Sequence, residues 1–273
     1  MHARSVLSLG LTALLSISSV SAKVLASYDA STGESVKDAL KMQNLGGYND
    51  QPWPKGQGQN ASAFFTTDKD PQGRPAAHVH KDPHFARSEY HVLNRQIEQD
   101  KTYYIGYKVQ WQNVDYQTIV FQWKSYEMDQ APDYHDTIPI GMVFRKDADG
   151  NGNHTITVGC QPDPRSGGGK IVWRKKLDMG NIYTFGLVIN TTPDMEKGFL
   201  QLYFNGQRVT MVDPETNKHT QTMKGNFFPV PGIANPKIGL YGGKNFLADD
   251  SYVYNFVVGT ELKDIAGVVG IKQ

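Results

Sequence analysis

Alternation of apolar and polar residues, which is typical of half-buried β-strands, dominates this chain. Between Thr102 and Trp111 one face carries Tyr103, Ile105, Tyr107, Val109 and Trp111. Further strand-like stretches are 24–28, 138–145, 154–160, 170–175, 182–190, 199–205, 207–212, 236–241 and 252–258. One short helical pattern occurs in residues 33–45, with Val36 and Leu40 on one side. Because no long helical pattern separates the strands, a parallel βαβ fold is disfavoured. The sequence predicts an all-β jelly roll, a sandwich of two antiparallel sheets whose concave face offers a groove for an extended polymer.

The first 22 residues have the features of a secretory signal peptide. Arg4 is followed by the apolar run 6–15, and Val20-Ser21-Ala22 fits a small-residue cleavage site. The run is too short to span a membrane. We therefore predict a signal peptide at 1–22, a single jelly-roll domain at 23–273, and an extracellular, secreted protein. Sequons at Asn60, Asn153 and Asn190 agree with a glycoprotein.

Charge and cysteine content narrow the classes of partner. The chain has 28 Lys and Arg against 27 Asp and Glu, a net charge of +1, and no basic block. Nucleic acid and membrane are therefore not expected as partners, but a locally positive cleft can still bind a polyanion. Cys160 is the single cysteine, so no internal disulfide can form. We expect a monomer.

The stretch Gln117 to Lys124 is the first of three that carry candidate site chemistry. Its alternation places Ile119, Phe121 and Trp123 on one strand face, and Val120, Gln122 and Lys124 on the other. An amide and an ammonium side by side can hold a carboxylate. The alternative is an ordinary solvated strand face.

The second stretch runs from His84 to His91. Arg87, Glu89 and His91 share one face, and His84 lies at its start. The planar guanidinium of Arg87 suits a carboxylate, because it can bind both oxygens at once. The alternative is a surface ion pair between Arg87 and Glu89, which would contribute little.

The third stretch, Lys237 to Gly243, places Lys237, Gly239 and Tyr241 on one face. Gly239 has no side chain and is expected to leave the surface open to a ligand. The alternative is that Tyr241 is a core or rim residue.

Together, and in this order, the three stretches resemble the alginate-lyase-like group of polysaccharide lyases. Arg87-Ser88-Glu89 resembles its first motif, Gln122 the glutamine of its Gln-x-His motif, and Lys237-x-Gly239-x-Tyr241 its Lys-x-Gly-x-Tyr motif. Lys124 stands where that group has a catalytic histidine, which argues against alginate as substrate. In this respect the chain is more similar to the fungal glucuronan lyases, polysaccharide lyase family 20.

The resemblance implies β-elimination of a uronan, an anionic polysaccharide, with β-1,4-linked glucuronan expected. Gln122 and Arg87 would neutralise the uronate carboxylate, so that a base can remove H5 while an acid protonates the leaving O4. In this polymer H5 and O4 lie on the same side of the ring, so Tyr241 could serve as both base and acid. His84 is the first alternative for the base, and His91 is the second. The further substrate-binding candidates are Lys124, Lys237, Lys244 and His91.

No metal is required for this chemistry, but the resemblance implies a structural Ca²⁺ ion. The candidate oxygen ligands lie near the ends of the mature chain and are Asp29, Asp250 and Asn255. The run Asp147-Ala148-Asp149-Gly150 matches the start of a calcium-binding loop, yet its twelfth position is Val158 instead of glutamate. We interpret that run as a turn between two strands.

Two other functions use the same fold. A carbohydrate-binding lectin would need the groove but no acid or base. A glycoside hydrolase would need two carboxylates roughly 5–9 Å apart, and Glu89 and Glu127 are the only central glutamates. Another uronan, such as alginate, is a further alternative for the substrate.

Overall fold

The computed structural model describes residues 23–47, 62–83, 85–125, 138–150, 152–165, 168–228, 234–244 and 247–272. In chain order the strands are β1 Val24–Asp29, β2 Met42–Gly47, β3 Ala63–Lys69, β4 Pro75–Lys81, β5 Phe85–His91, β6 Thr102–Asn113, β7 Thr118–Ser125, β8 Ile140–Arg145, β9 Thr155–Cys160, β10 Lys170–Lys176, β11 Ile182–Asn190, β12 Phe199–Phe204, β13 Gln207–Arg208, β14 Met211–Val212, β15 His219–Thr220, β16 Met223–Lys224, β17 Ala234–Gly242 and β18 Asp249–Gly259. The helices are a 3-10 turn at Ala30–Thr32, α1 Val36–Leu40 and α2 Leu262–Val269.

Two large antiparallel sheets contain almost all of these strands. Sheet I has the order β13-β12-β11-β6-β18-β4-β3, with β1 beside β18 and β16 beside β12. Sheet II has the order β10-β9-β8-β7-β17-β5-β2. β14 and β15 form a separate small ladder. The prediction of an all-β sandwich of two antiparallel sheets is confirmed.

The core lies between the two sheets and follows from the alternation of each strand. The five apolar residues predicted to share one face of β6 are all buried in it. Sheet II contributes Phe121, Trp123, Ile238 and Leu240, each at most 1% exposed. Fully burying one such large side chain contributes about 1.5–3 kcal/mol. The residues between them therefore point away from the core, on the outer face of sheet II.

One strand departs from the predicted alternation. The pairing of β7 with β8 shifts between Ile119 and Phe121, as at a β-bulge. Val120 is consequently buried in the core, while Ile119 lines an outer pocket of about 150 Å³ with Val143 and Ile171. The prediction that Ile119 shares a face with Phe121 and Trp123 is therefore wrong. Beyond the bulge, Gln122 faces outward as predicted.

Both ends of the described chain differ from the sequence prediction. The helical pattern expected over 33–45 is limited to α1, and Met42 begins strand β2. α2, which was not predicted, packs Ile265 and Val269 against Val257 on the outer face of sheet I. A Cβ at Gly106 would lie 2.9 Å from Val257 and 3.2 Å from Ile265, so this glycine lets the helix approach closely.

Several of the predicted features, among them Glu127 and the sequon at Asn60, lie outside the described residues. Residues 1–22, predicted to be a signal peptide, lie outside the described residues, and so does His84. Among the described residues, no helix has both the length and the apolar character needed to cross a membrane.

Candidate active site

Three neighbouring strands of sheet II bring the predicted site residues together. β17 lies between β7 and β5, and Lys237 is paired in register with Gln122 on one side and His91 on the other. Tyr241 is paired with Arg87. Because Trp123, Ile238 and Tyr90 point into the core, the alternate residues point outward. Strands far apart in the chain thereby place these side chains on one surface.

At the centre of this surface, Gln122 donates a hydrogen bond from Nε2 to Oε1 of Glu89 over 2.5 Å. Both residues are 2% exposed. Oε2 of Glu89 is buried and has no hydrogen-bond partner among the described residues. Burial raises the pKa of Glu89 to about 7, against the opposing effects of Lys237, Arg87 and the bond from Gln122. The alternative considered for Arg87, a surface ion pair with Glu89, does not hold, because Glu89 is buried and accepts a hydrogen bond from Gln122.

Basic side chains surround this carboxyl group. Lys237, Arg87 and Lys124 each lower the pKa of Glu89 through their charge. Lys237 is 4% exposed, and its burial lowers its own pKa although Glu89 opposes the shift. Burial thus disfavours the charged form of both Glu89 and Lys237. Arg87 and Lys124 are only partly buried, so they present positive charge to a ligand.

Tyr241 is held at the more accessible end of the site. The guanidinium carbon of Arg87 lies 4.7 Å from the centre of the Tyr241 ring, a cation–π contact. Tyr241 is partly exposed. Lys244 follows the end of β17, is exposed, and donates its backbone N–H to the carbonyl of Tyr116. The described contacts of Lys244 therefore place it at the edge of the site.

His91 is brought into the site but is poorly suited to act as a base. It is 7% exposed, and the amide nitrogen of Asn44 on β2 lies 2.8 Å from its Nε2. Since an amide nitrogen can only donate, Nε2 accepts this hydrogen bond. Burial and the charges of Lys237 and Arg87 lower the pKa of His91 to about 3. A neutral, hydrogen-bonded His91 helps to position its neighbours.

Gly239 is required by the backbone of the sheet. Its φ is +131°, and a Cβ at this position would overlap the carbonyl oxygen of Ser88 on β5. The backbone therefore requires a glycine at this position. This requirement, and not the expected open surface for a ligand, explains Gly239. Gly239 instead allows β17 to pass close to β5, which brings Tyr241 next to Arg87.

The arrangement suits stabilisation of a carboxylate better than hydrolysis by two acids. Glu89 is the only Asp or Glu within the seven strands of sheet II. A glycosidase requires a pair of carboxyl groups on either side of the bond. The strands of this sheet offer one carboxyl group, several cations, an amide and a phenol.

Sequence comparison identifies the family. The profile described as polysaccharide lyase matches residues 26–255. This chain belongs to the polysaccharide lyase family. No curated protein matches the lyase in sequence. The matched range includes all three strands that form the site.

Solved structures show the same fold at low sequence identity. The alginate lyase AlyC3 in complex with dimannuronate has a TM-score of 0.55 and 10% identity, covering 82% of the lyase and 92% of that chain. An alginate lyase from Pseudomonas aeruginosa has a TM-score of 0.51 and 10% identity, and the match covers 81% of the lyase and 99% of that chain. Domain 4 of an extracellular arabinanase from Geobacillus stearothermophilus, in complex with arabinotriose, has a TM-score of 0.50 and 10% identity. This match covers 91% of the lyase and 98% of that chain. At this identity the likeness concerns the jelly-roll fold alone.

The structure does not bring the three expected calcium ligands of the lyase together. Asp29 and Asn255 are paired in register, but Oδ1 of Asp29 already accepts two hydrogen bonds from Ser31, and Lys108 lines the same pocket. Asp250 lies five residues before Asn255 on β18, about 16 Å away along an extended strand, and contacts two histidine nitrogens. Calcium prefers a shell of oxygen ligands. These residues do not fit a common calcium site.

The turn expected at residues 147–150 is present. The backbone N–H of Gly150 donates to the carbonyl of Asp147, and the Asp147 side chain accepts hydrogen bonds from His154 and Thr155. This carboxylate therefore helps to hold the connection between β8 and β9.

One residue and one hydrogen bond of the site were not predicted from the sequence. Asn44 was missed because Met42–Gly47 shows no clear alternation and was not predicted as a strand. The hydrogen bond between Glu89 and Gln122 was missed because it joins β5 to β7 across β17. The outward alternation of Arg87, Glu89 and His91 was the available signal, and it pointed to the correct face.

Proposed function

We propose that this lyase cleaves β-1,4-linked glucuronan by β-elimination and leaves an unsaturated uronate at the new chain end. The observation that carries the proposal is the contact of Arg87 with the Tyr241 ring beside a buried Gln122–Glu89 pair. With Lys124 and Lys237 nearby, the site is locally positive on a chain whose net charge is +1. Such a site attracts a polyanion.

The proposed chemistry begins with the carboxylate of the uronate residue. Removing H5 places further negative charge next to that carboxylate, so the step needs donors that stabilise the developing dianion. Arg87 and Lys124, which are partly exposed, would meet the carboxylate. Gln122 uses one N–H for Glu89 and has a second N–H to donate. Glu89 would thereby fix the orientation of the Gln122 amide.

Tyr241 is proposed as the proton-transfer residue. In its phenolate form Tyr241 takes the proton from C5 and becomes a phenol, a double bond forms between C4 and C5, and the C4–O4 bond breaks with its electron pair on O4. The same hydroxyl then protonates O4, which is possible because H5 and O4 lie on one side of the ring. Arg87 holds the Tyr241 ring at this position through the cation–π contact.

Glucuronan is preferred because Lys124 occupies the position of the histidine in the alginate-lyase-like group. Alginate is the second candidate substrate, since it is also a uronan. Secretion, proposed from residues 1–22, would bring the enzyme to extracellular polymer.

The proposal is tested by incubating the purified protein with glucuronan, alginate and pectate. The ultraviolet absorbance of the unsaturated uronate reports the reaction. We expect the fastest rise with glucuronan. A faster rise with alginate would reassign the substrate, and binding of polymer without any unsaturated product would instead support a carbohydrate-binding protein.

A further inference from the structure

A second cluster of polar side chains lies on the outer face of sheet I, on strands that do not contribute to the proposed lyase site. His78 and His80 are two residues apart on β4, so both project from the same face of the strand. The neighbouring strand β18 pairs Asp250 with His80 in register. Two imidazoles and one carboxylate therefore converge from two adjacent strands.

The distances within this cluster are close to those of a metal site. Nε2 of His78 and Nδ1 of His80 each lie 2.8 Å from the same oxygen, Oδ1 of Asp250. The three ligand atoms lie within 4.8 Å of one another. Ligand atoms around a tetrahedral zinc ion with bonds of about 2.0–2.1 Å are about 3.3 Å apart. An ion could therefore enter if each N···O distance lengthened from 2.8 Å to about 3.3 Å and the two nitrogens came to about the same separation.

The second nitrogen of each imidazole also faces a carboxylate. Nε2 of His80 lies 3.1 Å from Oδ1 of Asp82, and Nδ1 of His78 lies 3.9 Å from Oδ2 of Asp68. Histidines that bind metal commonly direct the other ring nitrogen to a carboxylate, which fixes the ring and increases its basicity. This outer pair of carboxylates distinguishes the cluster from a chance contact between one histidine and one aspartate.

Aromatic packing holds the two rings in place. The Tyr252 ring stacks on His78 at 4.5 Å, and the Phe64 ring stacks on His80 at 5.1 Å. The side chains of His78, His80 and Asp250 remain 18%, 15% and 28% exposed. An ion could therefore reach the cluster from solvent and keep positions for water ligands.

We propose that His78, His80 and Asp250 bind a divalent transition-metal ion such as Zn²⁺. Two nitrogen donors and one carboxylate match the preference of zinc and its neighbours in the first transition row. Calcium, which prefers oxygen ligands, is a poor match. Bound metal would link β4 to β18 near the edge of sheet I, independently of the lyase activity.

The test is a calorimetric titration of the tag-free protein with Zn²⁺ after dialysis against a chelator, with Ca²⁺ in a parallel titration. We expect one equivalent of Zn²⁺ to bind with a Kd in the micromolar range or tighter. Saturating Zn²⁺ should raise the Tm by about 5 °C or more. In the Co²⁺ form, a visible absorption band should report nitrogen ligation.

Matched variants locate the site. Asp250→Asn and His78→Gln should each weaken Zn²⁺ binding at least 10-fold, and Asp82→Asn should weaken it about 10-fold through His80. His154→Ala is the control, because His154 lies beside a single aspartate, at 3.8 Å from Asp147. It should bind Zn²⁺ like the wild type. Circular dichroism checks that each variant folds, and His78→Gln stands in for Asp250→Asn if that variant does not.

Three results would overturn the proposal. The first is no Zn²⁺ binding by the wild type at 0.1 mM, an order-of-magnitude ceiling well above the micromolar Kd expected. The second is unchanged affinity in folded His78→Gln. The third is Ca²⁺ binding as tightly as Zn²⁺.

Discussion

The hydroxyl of Tyr241 carries the chemical step in our proposal, while its ring is held by Arg87. Tyr241→Phe removes the hydroxyl and keeps the ring and the cation–π contact. We expect polymer binding and the folded structure to survive, and formation of unsaturated product to fall by about 10²–10⁴-fold, the usual contribution of a positioned acid–base group. Ultraviolet absorbance measures the rate, and an affinity measurement on the intact polymer measures binding.

Tyr116→Phe is the matched control for this substitution. Tyr116 also has a cation near its ring, with Nζ of Lys146 at 5.5 Å, but it lies in the turn before β7. It should keep nearly full activity. Substantial activity in Tyr241→Phe would move the proton transfer to another group.

The stability of the protein should depend on pH through Glu89, because burial raises the pKa of Glu89 to about 7 from the ordinary value of 4.5. Between these values the folded protein binds more protons than the unfolded chain, so the contribution of Glu89 to stability decreases as pH rises. That contribution is complete below pH 4.5 and is lost as pH rises to about 7. The shift corresponds to about 3 kcal/mol.

Glu89→Gln removes this titration and keeps a group that can accept the bond from Gln122. We expect the stability of the wild type relative to Glu89→Gln to fall by about 3 kcal/mol as pH rises from about 4.5 to 7. Urea unfolding of both proteins across this range measures the difference. His91 titrates in both proteins, so the comparison isolates Glu89. A difference that stays constant with pH would show that Glu89 is ionised throughout.

At the scale of strands and turns, the position of Tyr241 depends on how β17 passes β5. Gly239→Ala places a Cβ against the Ser88 carbonyl oxygen at a φ of +131°. We expect a loss of at least about 2 kcal/mol in the free energy of unfolding, from backbone strain together with the steric overlap. Urea unfolding measures this loss.

Gly267→Ala is the matched control, since Gly267 lies within α2 and a Cβ there would meet nothing within 4 Å. It should stabilise the protein by about 0.5–1 kcal/mol, because alanine favours a helix interior. Equal effects of the two substitutions would contradict the role given to Gly239.

The elements that the sequence predicts well are those in which one regular period decides the face. Arg87, Glu89 and His91 on β5, and Lys237 and Tyr241 on β17, point outward as the alternation of their strands requires. Ile119 and Val120 lie on the faces opposite to those predicted, because β7 has a bulge. A bulge depends on the pairing of β7 with β8, which cannot be inferred from alternation within one strand.

The local sequence pattern alone does not specify which distant strands lie in contact. The order β7-β17-β5 joins segments more than 100 residues apart, so the proximity of Gln122 to Glu89 and of Arg87 to Tyr241 depends on tertiary structure. The resemblance of three motifs in order pointed to a common site. The cluster of His78, His80 and Asp250 had a local signal in its His-x-His spacing, but its carboxylate comes from β18.

At the scale of the whole molecule, a buried ion pair within sheet I is linked to sheet II by a hydrogen bond next to the candidate site. Nζ of Lys81 lies 2.6 Å from Oδ2 of Asp249, and the two side chains are 3% and 0% exposed. Asp249 also accepts hydrogen bonds from the N–H of Asp115 and the hydroxyl of Thr118. Asp249 belongs to sheet I, whereas Thr118 begins β7 of sheet II beside Gly242.

Removing one partner of this pair leaves an uncompensated buried charge, which typically costs 3–5 kcal/mol. We expect Asp249→Ala to lose about that much stability in urea unfolding, since both Lys81 and two donors would lose their acceptor. The double variant Lys81→Met with Asp249→Leu should recover part of the loss, because it removes both charges together. Lys197→Ala is the control, as Lys197 and Asp194 form an exposed pair at 2.7 Å, and such pairs contribute at most about 1 kcal/mol. If Asp249→Ala were no more destabilising than Lys197→Ala, then packing alone would hold the two sheets in place beside Tyr241.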